Sequence, residues 1–270
     1  MVWSSRALSL LLVLAFATSI VCQEVEDETE FNYIKGSKRG PEHWGEIKEE
    51  WATCKTGKKQ SPIDLFNRRV SVVPKWAEVT RFYRLGNATL KNRGHDIEII
   101  WKDKNSKIKI NGTNYILLQS HWHSPSEHTL NGIRFDLELH MVHQSKDNKI
   151  AVIGLLYKIG SPNVFISKLI RKIKMIGDTE HQIDAGLINP NEITMRGKRY
   201  YRYIGSLTTP PCTEGVLWTV NQQIGTVSKE QVIILREAVH DHAEKNARPR
   251  QALNGRKVNL YAHAIKNNAY

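Results

Sequence analysis

The residues best placed to do chemistry are histidines. Leu117 to His123 alternates like a strand, whose side chains repeat every second residue, so Gln119, His121 and His123 share one face. The same spacing on a helix would point the rings apart, which sets aside His240-x-His242, in or just past a predicted helix. His140 follows 17 residues after His123, in a segment whose Glu138, His140 and Val142 lie opposite Leu137, Leu139 and Met141. If a turn near Asn131-Gly132 pairs the two segments, His140 meets His121 and His123. Three neutral imidazoles with an open fourth position are the ligand set of a catalytic zinc site, and no cysteine is near enough to suggest a closed structural one. Gln119 and Glu138 each precede a ligand by two residues on its own face, where they can accept a ring N–H and fix the tautomer. Glu127 adds a carboxylate in a polar, Pro-containing turn. Without such neighbours, a His-x-His is better explained as satisfied core or interface histidines.

The elements that must position these residues are mainly strands. Alternating or β-branched segments span Leu90 to Trp101, Lys107 to Ile110, Asn114 to His123, Arg134 to His143, Ile150 to Ile159, Tyr200 to Leu207 and Val216 to Val220. Asn111-Gly112, Asn131-Gly132 and Lys146-Asp147-Asn148 punctuate them as turns. Two helices are predicted: one starting at Ser161-Pro162 and running through Ile173, the other opened by a capping box of Ser228 and Gln231 and running to about His240. No repeat, linker or low-complexity block follows residue 31, so residues 31–270 read as one β-dominated domain with a few short helices.

The 270 residues are 40% apolar and 24% charged, which excludes both a disordered polyelectrolyte and a membrane bundle. Residues 1–22 read as a signal peptide: Arg6, then an uncharged run from Ala7 to Val21 too short to span a bilayer, cleaved near Cys22. A retained signal anchor is the alternative. Residues 23–30 form an acidic start to the mature chain, and no further transmembrane segment is expected. Cleavage would leave Cys54 and Cys212 in an oxidising compartment, where they pair as a disulfide rather than remain two free buried thiols. The glycosylation sequons at Asn87 and Asn111 point to the same secretory route, the second at a hairpin tip. The net charge of +12 raises nucleic acid, membrane or acidic polysaccharide as partners, but the basic clusters at 168–174, 196–199 and 248–257 read as solvated faces, with no nucleic-acid partner expected.

Several motifs in register add a resemblance. Gln119-Ser-His-Trp-His-Ser-Pro-Ser-Glu-His128 and Glu138-Leu-His-Met-Val-His143 resemble the zinc signature of the α-class carbonic anhydrases, most closely in its secreted plant form. Gly40-Pro-Glu-His-Trp44, Gln60-Ser-Pro-Ile63, Gly94-His95, Gly205-Ser-Leu-Thr-Thr-Pro-Pro211 and Asn246-Ala-Arg-Pro249 follow the family order across nearly the whole mature chain. The resemblance implies a large, twisted, mostly antiparallel sheet of about ten strands. It implies Zn²⁺ on His121, His123 and His140, and reversible hydration of carbon dioxide to bicarbonate and a proton by a metal-bound hydroxide. It places Thr208 between that hydroxide and Glu127, and makes Val142, Val152, Leu207, Thr208, Thr209, Val216 and Trp218 the substrate pocket. His95 becomes the proton shuttle. Asn92 and Arg93 stand where the family often has small amides; the departure at Arg93 puts a positive charge beside His95 that disfavours its protonated form. Cys54 and Cys212 match the disulfide of secreted members, bracing the Thr208 loop. His43, His128 and His143 read as packing residues. The competing readings are a weakly catalytic storage or defence protein on the same fold, and a basic extracellular module that binds acidic polysaccharide or membrane. The secretory route ends outside the cell or, as in some plant relatives, in a plastid.

Overall fold

Strand alternation and turn chemistry account for most of the architecture. The structure, a computed structural model, describes residues 30–73, 79–177, 182–193, 195, 197, 199–239 and 243–261. The signal peptide, nearly all of the acidic segment and the His240-x-His242 pair lie outside these residues. The strands are β1 (Asp64–Leu65), β2 (Val70–Val73), β3 (Val79–Phe82), β4 (Gly86–Asn92), β5 (Ile97–Trp101), β6 (Lys107–Ile110), β7 (Thr113–His123) and β8 (Thr129–Leu130). They continue as β9 (Ile133–Arg134), β10 (Leu137–Ser145), β11 (Ile150–Ile159), β12 (Gln182–Ile188), β13 (Tyr200–Ser206), β14 (Glu214–Asn221), β15 (Gly225–Val227) and β16 (Val258–Tyr261). Among the described residues the helices are α1 (Trp44–Ile47), α2 (Thr53–Thr56), α3 (Val164–Met175) and α4 (Lys229–Glu237), with four short 3₁₀ turns.

Thirteen strands form one mixed, mainly antiparallel sheet with the path β12-β4-β5-β7-β10-β11-β14-β13-β16-β2, and β1, β8 and β9 form a separate three-stranded sheet. The path holds the ten strands that the resemblance implies, and three short strands, β15, β3 and β6, pair at its side. The Leu90 to Trp101 segment is not continuous. Arg93 to Asp96 turn the chain between β4 and β5, with Gly94 at φ +77°, a left-handed backbone that only glycine adopts readily. The Asn111-Gly112 turn joins β6 to β7 as expected, with φ of 49° and 84°. Asn131-Gly132 instead joins β8 to β9, so the β7–β10 pairing rests on strand register rather than on that turn. The first long helix begins later than predicted: Asn163, not Ser161, is its N-cap, accepting from the Ile166 N–H. The capping box of Ser228 and Gln231 opens α4 as expected, although the helix stops at Glu237.

The sheet has two differently filled faces. Leu139, Met141, Ile153 and Leu155 pack on one side with Phe165, Ile166, Leu169 and Ile173 of α3 and with Val232 and Leu235 of α4. On the opposite side Val142, Val152, Leu156, Val216 and Trp218 form a second apolar cluster. In β10 the alternation therefore sends Leu137, Leu139 and Met141 to the helices and Glu138, His140 and Val142 to the other face. β11 is buried from Ile150 to Tyr157, which explains its unbroken apolar run. Each fully buried aliphatic side chain here contributes roughly 1.5–3 kcal/mol. Leu139→Ala should lower unfolding free energy by about 2–5 kcal/mol in urea titration while leaving the bound metal per chain unchanged, since the deleted atoms face the helices.

Candidate metal centre

Register between β7 and β10 assembles the histidines. His140 lies opposite His121, Glu138 opposite His123 and Val142 opposite Gln119. The three imidazoles are buried, with ring centroids 4.9 Å (His121–His123), 5.1 Å (His121–His140) and 4.6 Å (His123–His140) apart. One nitrogen from each falls within 4.8 Å of the others.

The outward nitrogens are all engaged, and this fixes the tautomers. His121 Nδ1–H donates to Gln119 Oε1 at 2.7 Å, His123 Nδ1–H to the Asn246 carbonyl at 2.8 Å, and His140 Nε2–H to Glu138 Oε1 at 2.9 Å. Lone pairs are left on Nε2 of His121 and His123 and on Nδ1 of His140, two of them only 3.2 Å apart. His123 Nε2 is buried with no hydrogen-bond partner. Three inward lone pairs on neutral imidazoles suit zinc, and an unbonded buried nitrogen is costly without a ligand. Burial holds His121 well below its ordinary range against the pull of Asp96, so it stays neutral. For His123, burial is the largest single influence and acts downward, but the Glu127 and Asp96 carboxylates, the Asn246 carbonyl and Glu138 together exceed it and raise the group, so protons compete with metal there first.

Glu138 supports the whole arrangement. Burial alone would raise its carboxyl, yet His128 and His140 hold it well below the usual carboxylate range. Its Oε2 accepts from the N–H groups of Glu127 and His128, both at 2.8 Å, and its Oε1 from His128 Nδ1 at 2.7 Å. His128 Nε2 then accepts from the Tyr203 hydroxyl at 2.7 Å. The grouping of His128, Glu138 and His140 is thus a hydrogen-bonded prop rather than a second metal site.

Glu127 is set from the far end of the chain. Its Oε1 accepts from the Arg248 N–H at 2.8 Å, while Oε2, without a partner, lies 3.6 Å from His123 Nε2. The Arg248 guanidinium is buried, pushed down to about 10 by that burial, and donates to Gln60 Oε1, Ser61 O and Cys54 O at 2.8, 2.8 and 3.0 Å. Thr208 and Thr209 are buried, and the Thr209 hydroxyl is unpaired. Their loop is held by the Leu207 N–H on Thr213 O, by the Cys212 N–H on Thr209 O, and by the Cys54–Cys212 disulfide across 158 residues. The apolar pocket residues come together in one row: Val142 pairs with Val152, Val152 with Trp218, and Leu207 and Val216 join the same cluster. Trp218 also meets His140 edge-on at 4.8 Å.

His95 sits differently. It is 3% exposed, with neither ring nitrogen bonded, and its ring lies 5.0 Å from Phe31. Burial brings it down to about 4; Asp96 opposes this and Arg93 adds to it only in third place. Arg93 is itself buried and clamps Asp96 through Nε to Oδ1 at 2.8 Å and Nη2 to Oδ2 at 2.5 Å. The charge suspected from the sequence is therefore largely neutralised, and burial beneath Phe31 is the larger effect. Sequence reasoning did not find the roles of Asn246 and Arg248. The order Asn246-Ala-Arg-Pro249 was visible, but a backbone carbonyl carries no residue signature.

The family model of eukaryotic-type carbonic anhydrases matches residues 39–262. The chain belongs to the α-carbonic anhydrase family. It is 53% identical over 239 residues to alpha carbonic anhydrase 7 of Arabidopsis thaliana, covering 88% of this chain and 87% of that one. Among solved structures, dioscorin complexed with ascorbate matches with a TM-score of 0.85 and 43% identity, over 87% of this chain and 99% of that one. The α-carbonic anhydrase of Thermovibrio ammonificans in complex with sulfanilamide matches with a TM-score of 0.78 and 35% identity, over 85% and 98% of the two chains. The mainly antiparallel sheet and the histidine cluster are in keeping with that membership. Because Gln119 Oε1 accepts the His121 Nδ1–H, Gln119→Ala should weaken zinc binding about 10–100-fold in a competition titration with a chelator.

Proposed function

We propose that this protein is a zinc-dependent carbonic anhydrase that interconverts carbon dioxide and water with bicarbonate and a proton. The observation that carries the reading is the set of three inward-facing nitrogen lone pairs, each with its opposite nitrogen tied to an acceptor. Zinc held by His121, His123 and His140 supplies Lewis acidity that makes water a nucleophile near neutral pH. Glu127 Oε2 is left without a partner in this structure, and in the reading the family resemblance implies it would accept the Thr208 hydroxyl proton, leaving Thr208 a lone pair with which to accept from and orient the attacking water. Val142, Val152, Leu207, Val216 and Trp218 offer uncharged carbon dioxide an apolar wall that excludes water, and the Thr208 and Thr209 loop closes it. Hydration releases one proton, which His95 passes to buffer. The disulfide and the exposed sequons at Asn87 and Asn111 support secretion and glycosylation, with delivery outside the cell or to a plastid.

One observation favours a second reading, a storage or defence protein with weak catalysis: His95, at about 4 and shielded by Phe31, is a poor proton acceptor at neutral pH. The complete histidine set favours the enzyme. Stopped-flow carbon dioxide hydration by the mature protein, with zinc measured on the same sample, should show rapid turnover that His140→Ala abolishes; slow turnover at full zinc occupancy would give the storage reading first place. Phe31→Ala should expose His95, move it up toward the ordinary histidine value, and raise turnover in weak buffer several-fold, with little change in strong buffer that supplies its own acceptor. Reducing Cys54–Cys212 should loosen the Thr208 loop, lowering turnover as well as the thermal midpoint.

A further inference from the structure

The basic clusters grouped by the sequence are partly committed within the fold. Lys168 pairs with Glu192, Lys172 donates to the carbonyls of Asp184 and Ala185, Arg248 is buried, and Arg256 donates to the carbonyls of Gln60, Ala252 and Leu253. A different group of cations is uncommitted. β3, β6 and β7 lie side by side, with Phe82 opposite Lys107, Lys107 opposite Ile116, and Thr80, Lys109 and Asn114 in the next row. In this part of β6, Ile108 and Ile110 are buried while Lys109 is exposed, so Lys107 and Lys109 share the outer face about 7 Å apart. Arg84 is brought to the same place by Ser106, whose Oγ accepts the Arg84 N–H at 3.0 Å.

These residues line a groove of about 530 Å³ with Lys104, Asn105 and Asn114. Four cations line it and no carboxylate does. Asp103, beside Lys104, instead accepts the Asn87 N–H at 2.8 Å. Among the described residues none of the four cations has an ion-pair partner, and the Phe82 ring is 46% exposed with Lys107 Nζ 5.8 Å from its centroid. A single exposed ring is ordinary by itself; what sets this groove apart is four cations gathered along it with no lining carboxylate to answer them.

We propose that this face binds a linear carboxylated polysaccharide, a chain of uronic acid units. The four cations complement its regular negative charges. The Phe82 ring offers a face with partial negative charge to the positively polarised C–H groups of a sugar ring, and the amides of Asn105 and Asn114 meet its hydroxyls. A bilayer would require a broader apolar wedge than one ring flanked by amides.

The test uses the full mature protein and oligogalacturonate in titration calorimetry at several salt concentrations, with dextran, phosphatidylserine vesicles and single-stranded DNA as comparisons. Oligogalacturonate should bind with an affinity that falls steeply with salt, and dextran should not bind. The double variant Lys107→Gln, Lys109→Gln should lose about tenfold in affinity and show a shallower salt dependence. Phe82→Ala should weaken binding several-fold with the salt dependence unchanged. All three side chains are on the surface and apart from the metal centre, so zinc content and carbon dioxide hydration serve as the fold control. Unchanged affinity in both variants, or tighter binding to the vesicles or the DNA than to oligogalacturonate, would overturn the proposal.

Discussion

Much of this molecule depends on one buried carboxylate. Glu138 has no access to water, and a buried charge is tolerated only when its lone pairs are filled. Here they are filled by two backbone N–H groups from the Glu127 turn and by the rings of His128 and His140. One residue on β10 thus fixes both the turn that carries Glu127 and the orientation of a metal ligand. Because a partner left behind would be an unpaired buried group, these positions are mutually constrained, and the observed β7–β10 register satisfies them together.

The chemistry follows from what each face of the sheet is given. The helix-facing side is filled with aliphatic side chains, so it resists distortion. The opposite side interrupts its apolar cluster with three histidines and two carboxylates, which places polar groups of known orientation against a wall that prefers uncharged molecules. In the proposed reaction, binding of carbon dioxide and activation of water would thereby be adjacent but handled by different atoms. Proton departure through His95 would be the less favoured step, since burial against Phe31 disfavours the charged ring.

The clustering of His121, His123 and His140 was legible in the sequence because a period of two along a long strand is a strong pattern, and because Glu138 and Gln119 repeat it. The turn between β4 and β5 was read through as strand although Asn92 to Asp96 contains no apolar residue and carries a glycine, since the apolar residues on either side, Leu90 and Ile97, invite a continuous segment. β12 was missed for a related reason: it lies at one end of the sheet path, half exposed, and lacks the apolar face that identifies inner strands. Arg248 resembled one more surface cation, and nothing local distinguishes a guanidinium that will be enclosed by Gln60, Ser61 and Cys54 from one that will face water. Long-range polar contacts of that kind become visible only once the chain is folded.

The Asn246 carbonyl that receives His123 Nδ1 comes 123 residues later in the chain. During synthesis β7 and β10 emerge well before it, so an incomplete chain has three histidines but one unsettled tautomer and a Glu127 still missing the Arg248 N–H. Metal affinity couples to folding, so if the histidine cluster holds zinc as proposed, the fully oriented site would come into being only with that segment in place. Zinc uptake would in that sense act as a proofreading step, reporting whether the chain had been completed.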